Sequence, residues 1–124
     1  MSLEEFYHHL RWWMDPGDEN ALRRFNAIVR FFEGQEVDAS SVLDVCAGTG
    51  IAGVAAAKAL SALRLTLVEA RGEDLGKAKK WLELAGINPG LRLVTGNVLE
   101  LPSLVEEHDV AVLWGHTMPH FDPF

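Results

Sequence analysis

Three glycines in the run Gly48–Gly53 (GTGIAG) follow the spacing G-x-G-x-x-G, and an acid, Glu69, stands about 20 residues further on. Glycine lacks a β-carbon, so it permits a tight turn and lets a ligand approach the backbone at the start of a helix. A carboxylate near the end of the following strand can accept hydrogen bonds from ribose hydroxyls. The pattern predicts a site for an adenosine-containing ligand, and taken alone it would suggest NAD.

A second acid, Asp44, distinguishes this run from a dinucleotide fingerprint. It lies in the apolar segment before Gly48, where the NAD pattern has alternating apolar residues. Burying a carboxylate there is costly without a partner. An acidic site can hold a positively charged ligand, whereas it would repel a pyrophosphate. The residues therefore favour a cationic ligand.

The run Val42–Gly50 (VLDVCAGTG) resembles the first motif of class I S-adenosylmethionine-dependent methyltransferases, acid-x-Gly-x-Gly-x-Gly. Two of the three glycines match, and Cys46 replaces the first. The resemblance implies S-adenosylmethionine as the cofactor. The cofactor-binding residues that it implies in this run are Asp44, Cys46, Ala47, Gly48 and Gly50. For Cys46 itself we expect a small buried side chain rather than a nucleophile.

Two later segments continue the resemblance. In Leu65–Ala70 (LTLVEA) the family places an acid that accepts hydrogen bonds from both ribose hydroxyls, which implies this role for Glu69, with Ala70 beside it. The segment Leu93–Val98 (LVTGNV) is similar to the family's Gly-Asp-hydrophobic signature, with Asn97 in place of the usual Asp. The Asn97 carbonyl can still accept from the adenine amino group. Val98 would donate its backbone N–H to the ring.

The last matching segment is His108–Trp114 (HDVAVLW), which resembles the family's fourth strand, whose end lies beside the transferable methyl group. This implies a cofactor contact for Trp114. In the loop that follows, His116 is a candidate general base, since an imidazole changes charge near neutral pH. A loop histidine without chemistry explains it equally well. Pro119 would prevent a helix that aligns His116 with His120, so no metal site is expected.

The elements that must position these residues are read from the apolar pattern. Short apolar runs alternate with helix-like stretches, which predicts an α/β fold with a parallel, Rossmann-like sheet. Family topology gives the strand order 3-2-1-4. The predicted strands are Val42–Cys46, Leu65–Val68, Leu91–Val94 and Val110–Trp114, and the predicted helices between them are Ile51–Leu63, Gly72–Ala85 and Val98–Glu107.

Residues 1–36 predict two helices, separated at Asp15–Asp18, and the second helix ends near Gly34. We expect residues 1–124 to form a single domain, with residues 1–36 as a helical preface and residues 41–115 as the cofactor-binding core. The aromatic residues of the first helices are explained by packing. A minority hypothesis is that Tyr7 or Trp12 reaches the cofactor.

Charge, cysteine content and hydropathy argue against several classes of protein. The chain has 124 residues with 18 acidic and 11 basic side chains and a formal charge of −7, so a nucleic-acid partner is disfavoured. The one cysteine cannot form an internal disulfide, and the acidic start is unlike a secretory signal. No apolar run is long enough to span a membrane. We therefore expect a cytoplasmic protein.

Function follows from the resemblance, with alternatives left open. The sequence lacks the Asn-Pro-Pro-Tyr type of motif, which favours methyl transfer to a small-molecule acceptor. The alternatives are an NAD(P)-binding oxidoreductase fragment and a non-catalytic Rossmann-like interaction domain. Methyltransferases of this class continue through three further strands. We therefore expect either a truncated domain or self-association through the long apolar edge of strand four.

Overall fold

A computed structural model describes Ser2, Glu5 and residues 11–114 of the chain. The described residues form a four-stranded sheet with helices that connect its strands. In chain order the elements are α1 (Arg11–Met14), α2 (Glu19–Glu33), β1 (Ser41–Asp44), α3 (Ile51–Leu60), β2 (Arg64–Glu69), α4 (Gly72–Leu75), α5 (Ala78–Ala85), β3 (Gly90–Thr95), a 3₁₀ turn (Val98–Glu100), α6 (Leu101–Leu104) and β4 (Val110–Val112).

The sheet is parallel and has the order β3-β2-β1-β4, which confirms the predicted fold class and strand order. All four residues of β1 are buried, as expected for a central strand covered on both faces. The register places Asp44 opposite Leu67 of β2 and Val112 of β4. The carboxyl ends of β1 and β2 therefore lie side by side.

Helix α2 is amphipathic and packs mainly against α3. Its N-cap is Asp18, whose side chain accepts a hydrogen bond from the Asn20 N–H at 2.9 Å, and its C-cap is the predicted Gly34. The residues of α2 that are buried in the core are Ala21, Phe25, Ile28, Val29 and Phe32. Phe25 stacks on the fully buried Trp81 of α5 with ring centroids 4.9 Å apart. The core thus joins α2, α3 and α5 to the sheet.

Asp109 fixes the start of β4 against β1. Its Oδ2 accepts hydrogen bonds from the Ser40 N–H and hydroxyl, each at 2.8 Å, while its own N–H donates to the Ser41 hydroxyl. These hydrogen bonds hold the pKa of Asp109 below its usual value, with the Ser40 hydroxyl as the largest cause. Asp109 is therefore a structural residue at the amino ends of the strands.

The structure corrects three predicted elements. The helix predicted over Gly72–Ala85 is two helices, because α4 ends at Gly76, a poor helix former. The helix predicted over Val98–Glu107 is a 3₁₀ turn followed by α6, with Pro102 in its first turn, where a missing N–H costs little. Strand four was predicted too long, since β4 ends at Val112 and Trp114 packs on α2 instead.

In the part of the chain that the structure describes, no helix has the length and apolar character needed to cross a membrane.

Candidate functional site

The glycine turn connects β1 to α3 and depends on two left-handed residues. Gly48 has φ +56° and Gly50 has φ +90°, conformations that residues with a β-carbon rarely adopt. A β-carbon on Gly50 would also lie 2.9 Å from Leu67 Cδ1. The Ala47 N–H donates to the Val68 carbonyl at 2.9 Å, which ties the turn to β2. The turn is therefore held against the end of β2 by both packing and hydrogen bonding.

Asp44 acts across this turn as the cap of α3. The N-cap residue, Gly50, has no side chain, and the Asp44 Oδ2 accepts the Gly53 N–H at 2.8 Å instead. A β-carbon on Gly53 would lie 2.8 Å from both Asp44 Cβ and Oδ2, so only glycine allows this approach. The acid that the sequence marks as unusual therefore has a structural partner, the positive end of α3.

The ionisation of Asp44 is strongly perturbed. Asp44 is 1% exposed, and burial raises its pKa to about 7, helped by the nearby negative charge of Glu69. Backbone N–H groups of Gly53 and Cys46 and the positive charge of Arg24 act in the opposite direction. The carboxyl is thus poised between its neutral and ionised forms near neutral pH, and a cation placed beside it would favour the ionised form.

Glu69 ends β2 and faces the same turn. Its side chain is buried, and its Oε1 accepts the Gly48 N–H at 3.0 Å. Its Oε2 accepts from both the backbone N–H and the Nε of Arg71, at 3.2 Å and 3.1 Å. The two acids predicted from the sequence are therefore brought to one glycine turn, where Glu69 accepts a backbone N–H of the turn and Asp44 accepts one of the following helix.

Cys46 stands between the two acids in the sequence and is half-buried. Burial raises the pKa of its thiol to about 11, and the negative charges of Glu69 and Asp44 add to the effect. The side chain is therefore a neutral thiol at physiological pH. This agrees with a small packing residue and argues against a nucleophile, which would need the thiolate.

The predicted adenine-binding residues lie at the exit of β3. The Asn97 Oδ1 accepts the Leu99 N–H at 2.9 Å and so caps the 3₁₀ turn that begins at Val98. Asn97 and Ala70 are both exposed. The Gly96 N–H donates to the Glu69 carbonyl at 3.2 Å, which places this exit beside the end of β2. The roles of Asn97, Val98 and Ala70 toward a ligand stay predictions.

The structure gives Trp114 a packing role. Its ring lies 5.2 Å from Phe31 and 5.6 Å from Phe32, measured between centroids, so it covers the last turns of α2. The predicted cofactor contact of Trp114 stays a prediction. The candidate base His116 lies outside the described residues, as do His120 and the side chain of Trp12. Within the described ranges, no three His, Cys, Asp or Glu side chains form a group that could hold a metal ion.

Sequence reasoning missed how closely the end of α1 contacts the turn. The Met14 carbonyl accepts hydrogen bonds from the Thr49 hydroxyl at 2.8 Å and from the Trp81 indole N–H at 3.1 Å. Next to it, Asp15 pairs with Lys77 at 2.8 Å. Every residue has a backbone carbonyl, so residue types do not predict which carbonyl accepts these hydrogen bonds. Only Thr49, inside the glycine motif, could have indicated this contact.

Comparison with known proteins identifies the family. A family model described as a methyltransferase domain matches residues 42–124, which is more than half of the chain. Among solved structures, a SAM-dependent methyltransferase from Agrobacterium tumefaciens is similar, with 24% sequence identity and a TM-score of 0.48. The match covers 66% of this chain and 26% of that chain, so the chain spans about a quarter of that protein's length. No curated protein matches. The resemblance stated from the sequence is thus confirmed for the family: this chain belongs to the methyltransferase domain family.

Proposed function

We propose that this chain binds S-adenosylmethionine at the carboxyl ends of β1 and β2 and forms the cofactor-binding part of a methyltransferase. The observation that carries the proposal is the pairing of the turn's backbone donors with carboxylates. The Gly48 N–H binds Glu69 and the Gly53 N–H binds Asp44. These are donors that a pyrophosphate would need, and the carboxylates would also repel it. The arrangement favours a cation over NAD.

The donor set suits S-adenosylmethionine. Asp44 and Glu69 are two buried acids beside a turn that contains the left-handed Gly48 and Gly50. These glycines have no side chains that would keep a ligand away from the backbone. Acids of this kind can balance an ammonium and a sulfonium, and a carboxylate can accept from the ribose diol. The remaining cofactor contacts of the proposal are Cys46, Ala47, Ala70, Asn97, Val98 and Trp114. When bound, the cofactor supplies a methyl group that an acceptor displaces directly, and the chain contributes orientation.

A small-molecule acceptor is favoured by the sequence, with His116 as its candidate base.

We also propose that residues 1–124 form one domain, which is supported by the packing of Phe25 of α2 on Trp81 and by the core that α2 shares with the sheet. The proposal also includes self-association of two copies through β4, the end strand of the described sheet.

The test is titration calorimetry of the chain with S-adenosylmethionine, S-adenosylhomocysteine and NAD. We expect the first two to bind and NAD not to bind. Glu69→Ala should weaken S-adenosylmethionine binding about tenfold or more, the loss expected for charge-assisted hydrogen bonds. Glu83→Ala is the matched control, because Glu83 is exposed on α5. Binding of NAD alone, or equal affinities for the two variants, would contradict the proposal.

A further inference from the structure

Arg71 holds the ribose-binding candidate Glu69 in a cluster of three charged side chains. Its Nε lies 3.1 Å from Glu69 Oε2, and its Nη1 lies 2.8 Å from Asp74 Oδ2. All three side chains are at most 16% exposed. Charges that are shielded from water interact more strongly than surface pairs, so this cluster should influence any ligand that Glu69 contacts.

The donors that already bind the Glu69 carboxylate conflict with its proposed role toward a ribose diol. A carboxylate offers about four lone-pair directions, two on each oxygen. Among the described residues, Oε1 accepts one donor, from Gly48, and Oε2 accepts two, both from Arg71. A vicinal diol that donates to both oxygens therefore finds Oε2 occupied. Glu69 cannot serve both ribose hydroxyls while Arg71 keeps its present position.

Asp74 offers Arg71 a second partner. Its Oδ2 is buried and accepts no hydrogen bond from the described residues, although it already pairs with the guanidinium as an ion. Burial raises the pKa of Asp74, and the nearby charge of Arg71 opposes that shift. A small rotation of the guanidinium toward Asp74 would satisfy this oxygen and free one of the two acceptor directions on Glu69 Oε2, while the Arg71 backbone N–H keeps the other.

Resting on the proposed function, we infer that Arg71 is a specificity-determining residue of the cofactor site, which competes with the ribose diol for Glu69 and discriminates between ligands by its charge. S-Adenosylmethionine carries one net positive charge at neutral pH, from its ammonium, sulfonium and carboxylate, whereas the demethylated product carries none. A fixed guanidinium beside Glu69 therefore opposes the methyl donor more than the product. Competition for Oε2 acts on both ligands alike, so the two effects can be separated.

The test is calorimetry of the full chain with S-adenosylmethionine and S-adenosylhomocysteine, for the wild type and three Arg71-site variants. Arg71→Met removes the charge and the competing side-chain donor but keeps the backbone N–H, so we expect about fivefold tighter binding of the methyl donor and a smaller gain for the product. Arg71→Lys retains the charge and should keep the wild-type ratio of the two dissociation constants. Asp74→Asn weakens the alternative partner of Arg71 and should weaken both ligands.

The control is Arg64→Met, because Arg64 lies at the other end of β2 in an exposed pair with Glu106. It should leave both affinities unchanged. The ratio of the two dissociation constants is the decisive measurement, since a merely structural role would change both affinities together. An unchanged ratio in Arg71→Met, or the same ratio change in Arg71→Lys, would overturn the inference. If Arg71→Met does not fold, an affinity that Asp74→Asn leaves unchanged would also overturn it. Failure of the wild type to bind either ligand would count instead against the proposed function.

Discussion

Asp44 combines a structural and a chemical role in one carboxylate. It replaces the missing side chain of Gly50 as the cap of α3, and it faces the region where a cationic ligand is proposed to bind. Both roles favour the ionised form, but the surroundings of Asp44 in the free protein oppose it. An ionised Asp44 stabilises the N-terminus of α3, whereas its burial beside Glu69 favours the neutral form.

This conflict predicts how stability depends on pH. The pKa of Asp44 rises from 3.8 when unperturbed to about 7 in the folded chain. Between these values the folded state binds more protons than the unfolded state, so the contribution of Asp44 to the free energy of unfolding falls as pH rises. The slope is at most about 1.4 kcal/mol per pH unit, and the contribution is fully present below pH 4.

Asp44→Asn isolates this contribution, because the amide oxygen can still accept the Gly53 N–H but does not titrate in this range. Urea unfolding at several pH values between 5 and 7 measures both proteins. We expect the stability of the wild type to fall more steeply with rising pH than that of the variant. Parallel pH profiles would show that Asp44 is not perturbed in the way described.

At the scale of elements, the contact of α3 with β1 and β2 depends on Gly53. A β-carbon there would lie 2.7 Å from Leu67 Cδ2 and 2.8 Å from Asp44 Cβ. Alanine is the better helix former by up to about 1 kcal/mol, but the overlap would push α3 away from the strands. We expect Gly53→Ala to lower the free energy of unfolding by about 1–3 kcal/mol.

The matched control is Gly17→Ala, because no atom lies within 4 Å of the position that its β-carbon would take. This substitution should change stability by less than about 0.5 kcal/mol. Denaturant unfolding followed by circular dichroism compares the two variants with the wild type. If Gly53→Ala were as stable as Gly17→Ala, the proposed close packing of α3 on Asp44 would be wrong.

The elements also show which features are predictable from sequence. The central strands were predicted within two residues of their observed ends, because their apolar runs are buried on both faces. The break at Gly76 was missed, since the lysines and Trp81 that follow it were interpreted as part of one helix that begins at Gly72. Asp44 and Glu69 were found through their unusual positions in or after strands. The contact of the Met14 carbonyl with Thr49 depends on tertiary geometry, which no local pattern encodes. Arg71 and Asp74 are three residues apart, so their pairing was within reach of sequence reasoning and was missed.

At the scale of the whole molecule, the end strand β4 is shorter than predicted. Strand β4 has three residues instead of five, so its edge offers fewer backbone groups for pairing than expected. The surface beside it is apolar, with Phe31 50% exposed and Leu113 43% exposed. Exposed apolar surface near a strand edge that the described residues leave unpaired favours association. The proposed self-association therefore depends on this edge and its aromatic neighbours together.

Light scattering after size-exclusion chromatography tests this proposal over a range of protein concentrations. We expect a dimer fraction that grows with concentration, because a short edge supports weak association. Ala111→Lys should shift the population to monomer, since a charge on an edge strand opposes pairing and Ala111 is exposed in β4. Leu84→Lys is the control, because Leu84 is exposed on α5, the helix that connects β2 to β3. A monomer at every concentration would contradict self-association, and equal effects of the two lysines would assign any association to another surface.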